Sequence, residues 1–342
     1  MEDFNPRIYK IKVTGDEIQI VDTIKLKAPD GKTDAVTKSP YLTGSPNVKG
    51  PDEVPYDEQG QKVLSYDPDG LDMEGITYSA ADDTFWLCEE YRPSLLQIKR
   101  DGTVLGRYVP QGAMELLKGA QMNVVETFPA VYNNRISNRG FEGVSISPSG
   151  KYLFVSIQSP MAVPDQKTGE ASRNMRIMKM DLATKQIVGE YVYIAENAGQ
   201  FKGVKQKDIV ISDLHALSDD AVLVDERDKN EGGASQIKRI YKANFAAATN
   251  ILGTDLSGKL EGTSIAALKE MGIAPIGKEL VVDFVKLGYP YEKIEGLTVL
   301  DKRTLAIVND NDYQVSYDEN VKLKPTGVPT QMWTVTVQED LY

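Results

Sequence analysis

The chain predicts an all-β fold: a single β-propeller over residues 1–342, with about five or six four-stranded blades and long inserted loops. Three observations carry this reading. One hairpin recurs along the sequence, each copy holds an acidic residue at the same point, and each is followed by one or two further strand-like runs. Residues 71–91 (LDMEGITYSAADDTFWLCEEY) set the pattern. Glu74-Gly75 opens an apolar run at 76–78, a turn follows at 80–83, and a second run at 85–88 closes on Glu89-Glu90. The construction returns at Phe141-Glu142-Gly143, with a Pro148-Ser149-Gly150 turn and a run at 152–157. It returns again at Ile294-Glu295-Gly296, with a turn at 301–303 and a run at 305–308 that ends on Asn309-Asp310-Asn311-Asp312. A degenerate copy at 209–217 and 221–225 keeps Asp213 near its front and Glu226 at its end.

Taken in order, residues 7–13 (RIYKIKV) read as a strand, and 17–26 contain a second. The first resembles 238–243 (KRIYKA), the third strand of a later unit, so the chain is expected to enter the fold in mid-blade. Residues 28–70 are rich in Pro, Gly, Asp and Lys with little apolar periodicity, and read as a long loop. Third and fourth strands are expected at 95–99 and 104–109, at 176–180 and 187–193, at 239–243, and at 332–337. Two insertions, 111–139 and 253–290, lengthen the units. The first has room for a helical turn at 114–118. The second predicts a helix over 260–271, with Thr263 or Ser264 as its cap and Ile265, Leu268 and Met271 on its apolar side. Glu261-Gly262 repeats the dipeptide, but no hairpin follows, so it stands apart from the repeat.

With 342 residues, 41% hydrophobic and 26% charged, the chain has ample material for a core. Its net charge is −11 and its Lys and Arg are scattered, which speaks against a nucleic-acid surface and suits a cation. The one cysteine, Cys88, excludes an intramolecular disulfide framework and, lying in an apolar run, reads as a buried thiol. No run of about 18 apolar residues is present to span a membrane. The acidic opening Met1-Glu2-Asp3-Phe4 does not read as a signal peptide. No GxSxG elbow, P-loop or dinucleotide fingerprint occurs.

In a propeller the first strand of each blade lines the central channel, so equivalent positions converge on one axis although far apart in sequence. Glu74, Glu142, Asp213 and Glu295 are therefore expected to gather, with Glu90, Glu226 and Asp310 at the neighbouring strand ends. Carboxylates brought together repel unless protonated or bridged by a cation. Oxygen donors without a thiol or imidazole cluster point to Ca²⁺ before Zn²⁺. The competing reading is that each acid caps a turn or pairs with Arg or Lys. Residues 67–74 (DPDGLDME) resemble a calcium loop but lack the EF-hand spacing, and read as a turn. His215, the only histidine, is either structural or, two residues from Asp213, a proton carrier. Arg92, Arg139 and Arg227 each lie close in sequence to a repeat acid, as its ion-pair partner or as a bidentate holder of phosphate oxygens.

The runs DMEGITY, FWLCEEYRPSL, NRGFEGVSISPSGKYLFVSIQ, LVDERD and KIEGLTVLDKRTLAIVNDND stand in order over about residues 73–337. Together they resemble the phytase-like (esterase-like activity of phytase) family. The resemblance implies a β-propeller acting outside the cytoplasm, and carries the acidic positions Glu74, Glu90, Glu142, Glu226, Glu295, Asp310 and Asp312. Glu89 stands where an aspartate is expected before Glu90.

The function expected is Ca²⁺-dependent hydrolysis of a small-molecule phosphate ester by a monomer. Glu74, Glu142, Asp213, Glu295, Asp310 and Asp312 are the expected metal ligands. Glu90 and Glu226 would orient water, and Arg92, Arg139 and Arg227 would hold phosphate. Two alternatives stand beside it: a Ca²⁺-dependent carboxyl-ester or lactone hydrolase with His215 as base, and a non-catalytic extracellular binding propeller whose Ca²⁺ is structural.

Overall fold

The computed structural model describes residues 4–50, 52–57, 61–317 and 322–342, so the opening Met1-Glu2-Asp3 lies outside the described residues. The chain divides into two compact units, Met1–Phe141 and Glu142–Tyr342.

In the first unit, β1 (Arg7–Thr14) and β2 (Glu17–Lys25) pair as a two-stranded antiparallel ribbon, on which Tyr9, Ile11, Val13, Ile18 and Ile20 are exposed. The loop expected at 28–70 carries only isolated bridges. Next come β3 (Met73–Ser79), β4 (Thr84–Glu89), β5 (Ser94–Lys99) and β6 (Val104–Pro110), an antiparallel meander joined by short turns. A fifth strand, β7 (Val124–Phe128), lies parallel to β6 and follows the short helix α1 (Ala113–Leu116). A parallel neighbour needs a crossover of about a dozen residues, which is what the insertion supplies. The long loop is packed as well as long. Leu26, Leu42 and Leu71 are buried with Leu87, Leu96 and Ile98 of the sheet. Trp86 stacks on Tyr108 with ring centroids 5.3 Å apart.

Three further sheets make up the second unit. The first contains β8 (Phe141–Ile146), β9 (Tyr152–Ile157), β10 (Asn174–Asp181) and β11 (Gln186–Ile194). The second contains β12 (Val210–Ser218), β13 (Ala221–Arg227), β14 (Lys238–Asn244) and β15 (Gly277–Asp283). The third pairs β16 (Gly296–Asp301) with β17 (Thr304–Val308). Beyond the small hairpin β18 (Val315–Tyr317) and β19 (Leu323–Pro325), it is completed by β20 (Met332–Thr336). With the first unit's sheet, the described residues thus hold four blade-like sheets of three to five strands. The expected count of five or six is not reached, because β1–β2 and β18–β19 remain two-stranded.

The blades of the second unit pack face to face. Phe154, Ile177 and Tyr193 meet Ile211, Leu214, Val222 and Val224. Leu223, Ile240 and Phe284 meet Leu297, Leu305 and Ile307. Each such side chain contributes about 1.5–3 kcal/mol relative to exposure, so these inter-blade faces hold the unit together. Buried on both sides, β13 has no exposed residue. The glycine of the Glu-Gly repeat follows from the same packing. A Cβ on Gly143 would lie 2.5 Å from Leu214 N, so only glycine lets the first strands of adjacent blades approach this closely.

The helix expected at 260–271 is shorter than its pattern. A 3-10 turn covers Leu260–Gly262, Thr263 is extended, and α3, the second α-helix after α2 (Gln166–Ala171), runs over Ile265–Glu270. Ser264 is its cap, its Oγ accepting from Ala267 N at 3.1 Å. Glu261 belongs to no hairpin; it takes Arg176 Nε and Nη2 at 2.8 Å each, both side chains being buried.

Candidate functional site

In the first unit the antiparallel register sets Met73 opposite Glu89, which brings the start of β3 beside the end of β4. Glu90 N donates to Asp72 O at 2.9 Å. Asp72, Glu74 and Glu90 can each present a carboxylate oxygen within 4.8 Å of the others. Glu90 is buried, while Asp72 and Glu74 are half-buried and reachable. Oxygens around Ca²⁺ sit at 2.3–2.6 Å, so two across the ion are about 5 Å apart, and the group fits a cation of that size. A Cβ on Gly140 would lie 2.1 Å from Glu90 O, so glycine lets the segment carrying half-buried Arg139 pass against Glu90.

Glu89 fastens the end of the strand. Its Oε2 accepts from Arg92 N at 2.9 Å, Ser94 Oγ at 3.1 Å and Arg107 Nη2 at 3.0 Å, and Arg107 is itself fully buried. Nearby, Arg135 Nη2 donates to Asp52 at 2.6 Å. Burial pushes Asp52 up to about 6 against the pull of Arg135 and Arg92. Arg92 is buried, and its Nε and Nη2 make no hydrogen bond. That edge of a guanidinium is the fork that takes two oxygens of an oxyanion.

In the second unit the strand-start acids do converge. Asp213 on β12 accepts from Leu214 N and, across to the next blade, from Leu297 N, both at 2.7 Å. Complete burial pushes Asp213 up to about 8. What compensates Glu295 is basic side chains. Arg227 Nη2 donates to its Oε1, and Arg227 Nε donates to Ser212 Oγ at 2.7 Å. Burial opposes the Arg227 charge, but Glu295, Asp225 and Glu142 hold it on. Lys293 Nζ lies 2.6 Å from Asp310, 2.8 Å from Asp312 and 3.9 Å from Glu295. Burial raises Glu295 against Arg227 and Lys293. At less-buried Asp310 burial is again the largest single effect, but Lys293 together with the hydrogen bonds from Asp312 N and Glu295 outweighs it, and the acid is held below its usual range.

Side-chain alternation along β13 separates two residues expected to act together. Asp225 and Arg227 share one face, and Glu226 points to the other. There Glu226 accepts from Tyr193 Oη and Glu196 N at 2.6 Å each and from Lys278 at 2.9 Å. Asp225 is fully buried with no hydrogen bond to either oxygen, and Arg227 Nη1 likewise has none. Burial pushes Asp225 well above the usual carboxylate range, with Asp213 and Glu295 adding to it and Arg227 opposing. His215 is half-buried, and burial lowers its pKa, which keeps the imidazole neutral at pH 7.

The structure thus groups Glu74 with Glu90 in one unit. In the other it groups Glu142, Asp213, Arg227 and Glu295, with Asp310 and Asp312 on Lys293, and it turns Glu226 away. Asp225 and Lys293 were not anticipated, and Asp72 enters the sequence reading only within the 67–74 run that resembles a calcium loop and reads as a turn. A signal was available for each: Asp72 and Lys293 stand two residues before a repeat glutamate, and Asp225 stands two before Arg227. A pocket of about 920 Å³ lies between the β1–β2 ribbon and the first blade, lined by Tyr9, Ile24, Tyr41, Tyr78 and Phe85 and by none of the grouped acids.

Among solved structures, a protein from Lactobacillus plantarum is 12% identical, with 97% of this chain and 65% of that one covered and a TM-score of 0.33. A β-propeller domain from Myceliophteria thermophila is 13% identical over 80% of this chain and 65% of that one, with a TM-score of 0.32. An "uncharacterized secreted protein" of Arthroderma benhamiae is 26% identical over 274 residues, which are 71% of this chain and 52% of that protein. The chain therefore spans about half the length of that relative. No helix among the described residues is long and apolar enough to cross a membrane. A model of the phytase-like family, described as esterase-like activity of phytase, matches residues 2–313, and the chain belongs to that family.

Proposed function

We propose that the protein is a cation-dependent hydrolase of phosphate esters, with Asp72, Glu74 and Glu90 holding the ion and Ca²⁺ as the ion their all-oxygen set favours. One observation carries this reading. Two acids from opposite ends of one hairpin, and a third just before it, present oxygens within 4.8 Å while two of them remain reachable from solvent. Bound there, the cation would supply charge screening and polarisation of a phosphate's P–O bond. Half-buried Asp72 and Glu74 anchor it, and Glu90, the buried member, orients water. Arg139, on the segment that Gly140 lets pass against Glu90, is one phosphate donor, and the fork of Arg92 is a second. Glu142, Asp213, Glu295, Asp310 and Asp312 serve in this reading as counter-charges and strand anchors rather than ligands, and Glu226 is structural. The secreted relative supports action outside the cytoplasm.

A second reading has its own observation. Asp225 is a buried carboxyl that burial holds above the usual carboxylate range, as a general acid requires, and it sits with Arg227, which has an unused N–H. That would favour carboxyl-ester or lactone hydrolysis in the second unit, with neutral His215 on the neighbouring strand as a further base.

Phosphate release and carboxyl-ester cleavage, measured over a substrate panel with Ca²⁺ or chelator, test both. The first reading expects phosphate release that chelator abolishes and that Glu74→Gln lowers about 100-fold or more. Ester cleavage that ignores chelator but is lost in Asp225→Asn would replace it with the second. No turnover on either class would leave a binding propeller.

A further inference from the structure

We propose that Asp34, Asp67 and Asp69 form a second, fully buried Ca²⁺ site, structural in role, that ties the long loop of the first unit to the segments flanking its blade. It does not rest on the hydrolase reading. The three side chains are 0%, 1% and 0% exposed, and each can present an oxygen within 4.8 Å of the others. Among the described residues, no lysine or arginine forms an ion pair with any of them.

Backbone and hydroxyl donors hold the carboxylates in place. Asp34 Oδ1 accepts from Val36 N at 3.0 Å, Thr37 N at 2.7 Å and Thr37 Oγ1 at 2.8 Å. Asp69 accepts from Gln121 N at 2.8 Å, Ala35 N at 3.0 Å and Met122 N at 3.2 Å. Asp67 accepts from Asp69 N at 3.0 Å and from Thr43 Oγ1. What this leaves over is Asp34 Oδ2, a buried carboxylate oxygen with no hydrogen bond, on a carboxyl that meets that of Asp67. A buried charged oxygen without a donor is costly, and a cation removes the cost.

The neighbouring chain offers more oxygen of the kind Ca²⁺ takes. Residues 43–47 run along 67–71, with Leu71 N donating to Thr43 O at 3.0 Å and Asp67 N to Pro46 O at 3.1 Å. On that stretch Ser45 Oγ and Asn47 Oδ1 are also buried without a hydrogen bond. Three carboxylates with hydroxyl and amide oxygens nearby suit an ion of six to eight oxygen ligands better than the nitrogen and sulfur preference of Zn²⁺. With no cation, burial and the Asp34 contact push Asp67 up to about 7, so the group would hold a proton instead.

Hydrogen exchange on the full wild-type chain, stripped with chelator and then given Ca²⁺, reads the site directly. Amides at 34–37 and 121–122 should exchange about tenfold or more slowly with Ca²⁺ at about ten times its Kd or above. Native mass spectrometry should show one Ca²⁺ fewer per chain in Asp34→Asn than in wild type, and the same loss added to that of Glu74→Gln in the double variant. If Asp34→Asn does not fold by circular dichroism, the wild-type exchange decides alone. The proposal fails if Ca²⁺ leaves 34–37 and 121–122 unprotected, or if Asp34→Asn binds as many ions as wild type. It also fails if acid protects these segments and Ca²⁺ does not, since the group then shares a proton.

Discussion

Asp72 and Lys293 hold the same place in their hairpins, two residues before the repeat glutamate, yet they carry opposite charge. In the first blade Asp72 adds a third carboxylate to Glu74 and Glu90. In the last, Lys293 reaches Asp310, Asp312 and Glu295 at 2.6, 2.8 and 3.9 Å, and Arg227 closes on Glu295 as well. One repeat therefore builds two kinds of site. The backbone delivers an acid to a fixed point, and the residue two places before it differs in charge between the copies: in the function proposed above a cation would join the first group, while basic side chains meet the second. Burial makes the choice binding, because a carboxylate taken out of water must be compensated.

The largest effect that would break this comparison is expected at Arg227. Arg227→Met leaves Glu295 and Asp225 buried beside one another and should cost about 3–5 kcal/mol in urea unfolding. A loss under about 1 kcal/mol would mean that these acids are protonated and need no base. Next comes Lys293→Gln, expected to cost about 1–2 kcal/mol, less because Asp312 is 61% exposed and its share is screened. If the basic neighbour is what excludes a metal, this variant should also gain a Ca²⁺-dependent rise in melting temperature, and an unchanged calcium response would break the comparison.

Glu226→Gln sharpens the comparison from the other face of β13. It weakens the Lys278 pair and should lower stability by about 1–2 kcal/mol while leaving kcat unchanged. A drop in kcat at full stability would return Glu226 to the chemistry. A further test concerns pH. Asp213 keeps its proton in the fold up to about pH 8, whereas an unfolded aspartate loses it near 3.8. Between those values the native state binds the extra proton, so this group's contribution to stability falls as pH rises. Wild type should lose stability relative to Asp213→Asn between about pH 5 and 8; a constant gap would show the acid ionised in the fold.

Much of the architecture was legible because it is local. Alternating runs and Pro/Gly turns marked the hairpins, and the recurring strand starts gave the expectation that Glu74, Glu142, Asp213 and Glu295 gather, of which the second unit holds Glu142, Asp213 and Glu295 around β12. The parallel strand β7 and strand β15, set inside insertions, were not visible, since a short apolar run outside the repeat has no neighbour in sequence to declare its partner. Glu226 was misplaced for a simpler reason. Adjacent strand residues face opposite ways, so Glu226 and Arg227 lie on different faces of β13, and Asp225 is the residue that shares a face with Arg227.

What the sequence by itself determined was the repeated hairpin, the position of an acid in each copy and the family, since these depend on residue type and spacing along the chain. Only the tertiary structure decided which acids meet a base and which meet each other. Arg227 lies 68 residues from Glu295, Asp34 lies 33 from Asp67, and Tyr193 lies 33 from Glu226. Electrostatic compensation acts over a few ångströms of low-dielectric interior, and those distances exist only once the blades have packed.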